Sequence, residues 1–197
     1  MKAGKIVLSD IESDKKEFIA EHALQNKENL LLSLDIYNSF EEVMNQLVSS
    51  FLKELKKQLL ESLGNEWEIE VPFENNNVFG RAKVRLHIWK KLWKGKHFIA
   101  FSNDKTKLSD FNFFVWREAK TPIKGITETL NTKFIKGCKY GEDIDWYVMA
   151  DKKYINWLDE DTISLLYDKK EMLDYFKDKL LKIAKIVEPI IDKKFKQ

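Results

Sequence analysis

The chain has 197 residues, with 34 Lys and Arg against 32 Asp and Glu, three histidines and a single cysteine. Hydrophobic residues at 44% and aromatics at 13% exclude a mainly disordered chain, and one cysteine excludes an intramolecular disulfide framework or a cysteine-rich zinc site. No stretch approaches the ~18 apolar residues of a membrane helix, and the opening MKAGKIVLSD has no apolar leader, so a cytoplasmic protein without a membrane partner is expected.

Taken in chain order, the first quarter reads as helix. One helix is expected around Ile11–Gln25. A second is expected from Ser39, where Ser39-Phe40-Glu41-Glu42 fits a capping box. Val43, Met44, Leu47, Val48, Phe51, Leu52, Leu55, Leu59 and Leu63 then recur at helical spacing, and Gly64-Asn65 is a natural stop. Beyond it the period becomes two. Trp67, Ile69 and Val71 alternate with Glu66, Glu68 and Glu70, and Ala82, Val84, Leu86 and Ile88 alternate with Arg81, Lys83, Arg85 and His87. A hairpin about Asn75-Asn76 would set Glu70 opposite Arg81, Glu68 opposite Lys83 and Glu66 opposite Arg85, with Trp67 opposite Val84 and Ile69 opposite Ala82. Two more strands follow, His97–Ser102 and Phe111–Arg117, hinged near Lys105–Leu108; their apolar residues fall on both faces, as in strands covered on both sides.

Thr121-Pro122 opens a further helix that Gly137 could close. Asp145–Ala150 reads as a short strand. Asp168-Lys169-Lys170-Glu171 is a second capping-box pattern leading into a long amphipathic helix, which Pro189 is expected to kink or end. The expected fold is α+β: N-terminal helices, a four-stranded antiparallel meander, then helix, short strand and long C-terminal helix. No linker composition interrupts it, so 1–197 reads as a single domain with a helical part, 1–64, packed on 65–197.

Charge is unevenly spread along this order. Residues 1–80 carry a net −7, residues 81–140 a net +11 and residues 141–197 a net −2. The basic middle brings together Arg81, Lys83, Arg85, His87, Lys90, Lys91, Lys94 and Lys96, with Trp89 and Trp93 interleaved. Basic side chains among aromatics suit an anionic partner, and exposed tryptophans beside lysine suit a binding hot spot. The bland alternative is a solvated face, part of it neutralised across the hairpin by Glu66, Glu68 and Glu70. Only Arg81, Arg85 and Arg117 are arginines, so sequence-specific duplex reading is not favoured.

Several chemistries lack their residues. There is no glycine-rich phosphate loop, and His22, His87 and His97 have no metal-ligand spacing. Cys138 follows Gly137 with no sign of activation. Arg81 and His87 have the spacing of the helical HEPN ribonucleases, but here the period is two. Glu118-Ala119-Lys120 closes the strand ending VWR and resembles the Glu-x-Lys strand of PD-(D/E)XK nucleases, in which the acid holds a divalent metal such as magnesium and the lysine positions water. That chemistry needs a second carboxylate. Asp110 lies eight residues back on the same strand, and the hairpin sets Glu118 opposite Lys94–Lys96, with no Asp or Glu between Asn75 and Asn103.

A second resemblance is broader. "EWEIEV", "KHFIAFSND" answered by "NFFVW", "YINW" at 154–157 and the closing amphipathic helix make residues from about 65 to 195 similar to the C-terminal module that follows the nuclease core in bacterial and phage PD-(D/E)XK-related proteins. The resemblance implies an accessory half standing alone, with an interaction or sensing role and no catalysis or cofactor. It also implies a setting in the conflict between bacteria and mobile elements, phage defence or anti-defence. The expected function is therefore a non-catalytic module that binds a protein or nucleoprotein complex, as an accessory or inhibitor. The alternatives are a metal-dependent nuclease using Glu118 and Lys120, and a nonspecific nucleic-acid binder working through 81–97.

Overall fold

The computed structural model of the protein describes residues 8–71, 84–105, 108–118 and 123–196. In chain order these form helices α1 (Leu8–Leu24) and α2 (Lys27–Leu63) and strands β1 (Trp67–Glu70), β2 (Arg85–Lys90), β3 (His97–Lys105) and β4 (Ser109–Arg117). Helix α3 (Ile126–Lys133), strands β5 (Cys138–Tyr140) and β6 (Ile144–Met149) and helices α4 (Glu160–Asp168) and α5 (Lys170–Phe195) complete them. The class is α+β, as expected. The sheet, however, has six strands in the order β1-β2-β3-β4-β6-β5, and every neighbouring pair is antiparallel. The chain divides into two compact units, 1–43 and 44–197.

In the first unit, Asn26 starts α2: its Oδ1 accepts the Asn29 backbone N–H at 2.8 Å. Ser39 is therefore an interior residue of one 37-residue helix and not a cap. A capping side chain acts only where the preceding backbone leaves the helix, and here it does not. Phe18, Ile19, Leu31, Leu32, Ile36 and Tyr37 are exposed.

In the second unit the apolar stripe of α2 from Met44 to Leu59 is buried, and Gly64, at φ 83°, ends the helix as expected. Alternate residues of the strands meet that stripe and α5. Phe176 of α5 is the hub, with ring centroids 5.0 Å from Phe101, 5.5 Å from Phe113 and 5.7 Å from both Phe51 and Trp157. The segment 154–157 closes the core beneath β4, where Trp157 stacks on Phe111 at 3.9 Å and its backbone N–H donates to the Leu108 carbonyl at 2.9 Å.

The β3–β4 hairpin has the expected register, with Lys105 opposite Ser109 and His97 opposite Arg117. The β1–β2 pair does not. Trp67 lies opposite Lys90 and Ile69 opposite Ile88, a displacement of six residues from the expected pairing with Val84 and Ala82. An even displacement keeps every side chain on its own face, so alternation alone could not exclude it. The turn assigned to Asn75-Asn76 lies outside the described residues, as do Thr121 and Pro122.

Three further expectations change. Glu171 does not cap α5; its carboxylate takes the Tyr154 hydroxyl at 2.6 Å and pairs with Lys153. Of the two outcomes expected at Pro189, the ending of the helix is excluded, because Pro189 lies inside α5, which continues to Phe195. The backbone bond it forfeits would have gone to the carbonyl of Lys185, an exposed residue that water can serve. Gly137 does not close α3, which ends at Lys133; it lies where β5 crosses Trp146.

Candidate binding face

The side chains that do not enter the core define the site. In β2, β3 and β4 the alternation that buries Leu86, Ile88, Ile99, Phe101, Phe113 and Val115 turns Arg85, His87, Phe98, Ser102, Asn112, Phe114 and Trp116 to the opposite face. Pairing brings these side chains together: Phe98 lies opposite Trp116, Ser102 opposite Asn112, and Phe114 opposite Tyr147 of β6. The bulge between Val115 and Trp116 adds Asp145 to β6, where it reaches the buried Arg117 at 2.8 Å and lets Ile144 and Tyr147 share the outer face.

The result is a ladder of stacked rings. His87 lies 4.4 Å from Phe98 at an interplanar angle of 25°, and Phe98 lies 4.5 Å from Trp116 at 16°. Across the sheet Tyr140 stacks on Tyr147 at 5.3 Å. Trp116 is held in place by its Nε1–H, which donates to Asp143 at 2.9 Å. Between the two stacks lies a cavity of about 420 Å³, and every residue lining it belongs to a strand or to the β5–β6 turn. Burial, and then the neighbouring Arg85 guanidinium, push the His87 imidazole down to about 4, so at neutral pH it is an uncharged ring.

The structure separates the basic residues singled out from the sequence. Arg85 and His87 line the cavity, and Trp89 is half-buried on the same side of β2. Lys91, Lys94 and Lys96 are exposed around the turn that follows β2, and Lys96 approaches Glu118 at 3.9 Å. Lys90 and Trp93 are not surface groups. Lys90 is 6% exposed, with its ammonium on Glu188 at 2.8 Å, Asp192 at 2.9 Å and Glu66 at 3.3 Å; Trp93 is fully buried and donates to Asp192 at 2.7 Å. Both follow from α5 crossing this end of the sheet. The expected pairing of Glu66 with Arg85 is absent, because the register has moved, and among the described residues Arg85 has no ion-pair partner. Arg81, Lys83 and Lys120 lie outside the described residues.

Glu118 is exposed beside Lys96, as the hairpin required, with its backbone N–H on the Lys96 carbonyl at 2.9 Å. Among the described residues no group of three or more His, Cys, Asp or Glu is placed to hold a metal ion. No described helix is long and apolar enough to cross a membrane.

Ser102, Asn112, Phe114, Tyr140 and Tyr147 were not singled out from the sequence. Phe114 had a signal in the two-faced apolar pattern of β3 and β4, which reads as a strand covered on both sides; Tyr140 of β5, Tyr147 of β6 and the polar Ser102 and Asn112 had none. Comparison of the chain with protein-family models, with curated proteins and with solved structures finds no match in any of the three.

Proposed function

We propose that this chain is a non-catalytic binding module, that its working surface is the aromatic face of the sheet, and that its partner is a single-stranded nucleic acid whose bases stack there. The observation that carries this reading is the continuous stack His87–Phe98–Trp116 beside a cavity of about 420 Å³. Base–aromatic stacking contributes about 1–3 kcal/mol per base and tolerates any sequence, because every base has a flat face. A single strand can turn its base faces to the protein at the cost of its own weaker stacking, whereas a duplex hides those faces between paired neighbours. Arg85, Lys91, Lys94 and Lys96 supply cations near the ladder for the phosphates.

A nuclease acting through Glu118 and Lys120 is less well supported, since the neighbour across the hairpin from Glu118 is the cation Lys96. The resemblance to modules of PD-(D/E)XK-related proteins supports an accessory or inhibitory role in a nucleic-acid-handling complex, in conflict between bacteria and mobile elements.

The test is a titration of labelled single-stranded RNA, single-stranded DNA and duplex DNA across a salt series. Single strands are expected to bind more tightly than duplex. Trp116→Ala and Tyr140→Ala, at rings that each stack on one neighbour only, are each expected to weaken strand binding about ten- to a hundred-fold without changing the salt slope. Strand affinity unchanged in both variants would remove the aromatic face from the function.

A further inference from the structure

We propose that the helices of the first unit are a dimer interface, and that what covers them is the same pair of helices from a second copy of this chain. At about 3.6 residues per turn, the apolar side chains of α2 between Leu30 and Val43 fall into two stripes. Leu32, Ile36 and Val43 make one, Leu30, Leu34 and Tyr37 make the other, and Phe40 lies between them. Together they span about 200° of the helix, whereas a helix that buries one side needs only about 100°. All of these residues are exposed, Tyr37 at 79%. Glu28, Asp35 and Glu42 line the remaining side and are exposed as well. Leu31 is the one apolar residue among those acids, and Glu41 is the one acid within the stripes. Segregation of this kind, with so wide an apolar arc, belongs to a helix that packs against two neighbours in a bundle.

Helix α1 can supply one neighbour. Its exposed large apolar residues, among those described, are Phe18 and Ile19, with Leu24 at its end. One such helix covers one stripe of α2 and leaves the other open, so a single chain cannot bury both. A second copy brings the missing helices and has the same need itself, and one two-fold contact meets both needs. The area is sufficient. The large apolar residues of the two helices leave on the order of 1,000 Å² per copy in water. The largest apolar patch on a typical monomer is about 300–600 Å², and a stable interface takes about 800 Å² from each partner. Charge does not stand in the way. Residues 8–43 hold nine acids and three lysines, but Glu28, Asp35 and Glu42 face away from the stripes and stay in water when these close. A single basic helix from another protein would suit that acidic side, yet it would cover only one stripe.

The experiment follows the full chain by sedimentation velocity and by hydrogen exchange through a dilution series. A species of twice the chain mass is expected at micromolar concentration. On dilution it gives way to single chains, and amide exchange over 30–43 speeds up at the same concentrations. Leu32→Gln with Ile36→Gln, and separately Leu30→Gln with Leu34→Gln, are each expected to weaken the dimer about ten-fold or more, while the calorimetric transition of the second unit stays in place. Asp35→Ala, on the acidic side, is expected to leave the dimer constant within about two-fold. Single chains at every concentration overturn the proposal and leave the face to a different partner. A dimer that both double variants leave intact overturns it too, as does exchange over 30–43 that stays the same while the dimer dissociates, since the copies then meet elsewhere. The exchange measurement uses the unaltered chain and so decides the matter even where a double variant fails to fold. Strand binding at the sheet plays no part in any of these outcomes.

Discussion

A charged lysine that is only 6% exposed persists inside a fold when carboxylates meet it from more than one element, and Lys90 has three such neighbours. Burial works against its charge. The hydrogen bonds to Glu188, Asp192 and Glu66 outweigh burial and hold the group above the usual lysine range, while Asp192, itself opposed by burial, is held below the usual carboxylate range by Lys90 and Trp93. Lys90→Met would leave Asp192 buried without its nearest cation. A loss of about 3–5 kcal/mol is expected, read as a lower urea midpoint at unchanged slope. His87 carries a different dependence. In the unfolded chain it takes a proton near 6.5, and in the fold only near 4. Between those values the unfolded state binds more protons, so stability is full above about 6.5 and falls as the pH drops toward 4. In His87→Gln that part of the acid sensitivity is expected to vanish, which melting temperatures from pH 7 to pH 4 would measure. By type alone both residues read as members of a basic surface. What assigns Lys90 to the interior is Asp192, some hundred positions away, and nothing local announces it.

Among the elements, β5 has three residues, all exposed, and is placed by its contacts. Gly137, just before it, passes so close to β6 that a Cβ there would lie 2.5 Å from both Trp146 Nε1 and the Tyr147 carbonyl. Asn131 secures the crossing by donating to the Gly137 carbonyl at 3.1 Å and accepting its N–H at 2.8 Å. In Gly137→Ala the strand must move, at a cost of about 1–3 kcal/mol, and because Tyr140 and Tyr147 form one wall of the cavity, ligand affinity should fall together with the melting temperature. A variant that lowers one without the other would break that link. How far each element was legible follows from what specifies it. The β3–β4 hairpin was readable because its turn and both strands are contiguous in sequence. The β1–β2 register was not, since period two survives a displacement of six residues. Strand β5 was missed because Cys-Lys-Tyr carries no periodicity, and α4 because its apolar residues lie close to the start of the stronger helix α5. Both apparent capping boxes misled for one reason: the four-residue pattern is local, whereas a cap depends on the path of the chain before it.

At the scale of the molecule, the second unit holds every buried apolar residue described, and the first holds most of the large exposed ones. Leu32→Gln and Ile36→Gln, at positions 58% and 64% exposed, are therefore expected to leave the main calorimetric transition within about 0.5 kcal/mol of its original stability. The charge asymmetry along the sequence does not map simply onto the fold, because one lysine of the basic middle is neutralised by α5 and β2 is displaced from its acidic partners. The α+β class was legible throughout, since helical and alternating patterns occupy separate stretches of the chain. The aromatic face was legible only in outline, because apolar residues on both sides of a strand do not say what covers the second side. One property of this arrangement is optical. Trp67, Trp93, Trp146 and Trp157 are buried, while the half-buried Trp89 and Trp116 both lie on the outer side of the sheet. Emission from the protein is thus divided into a blue-shifted fraction that acrylamide reaches poorly and a red-shifted fraction that it reaches well. Whatever settles on that face shades the second fraction alone, so the molecule reports its own occupancy by the colour of its light.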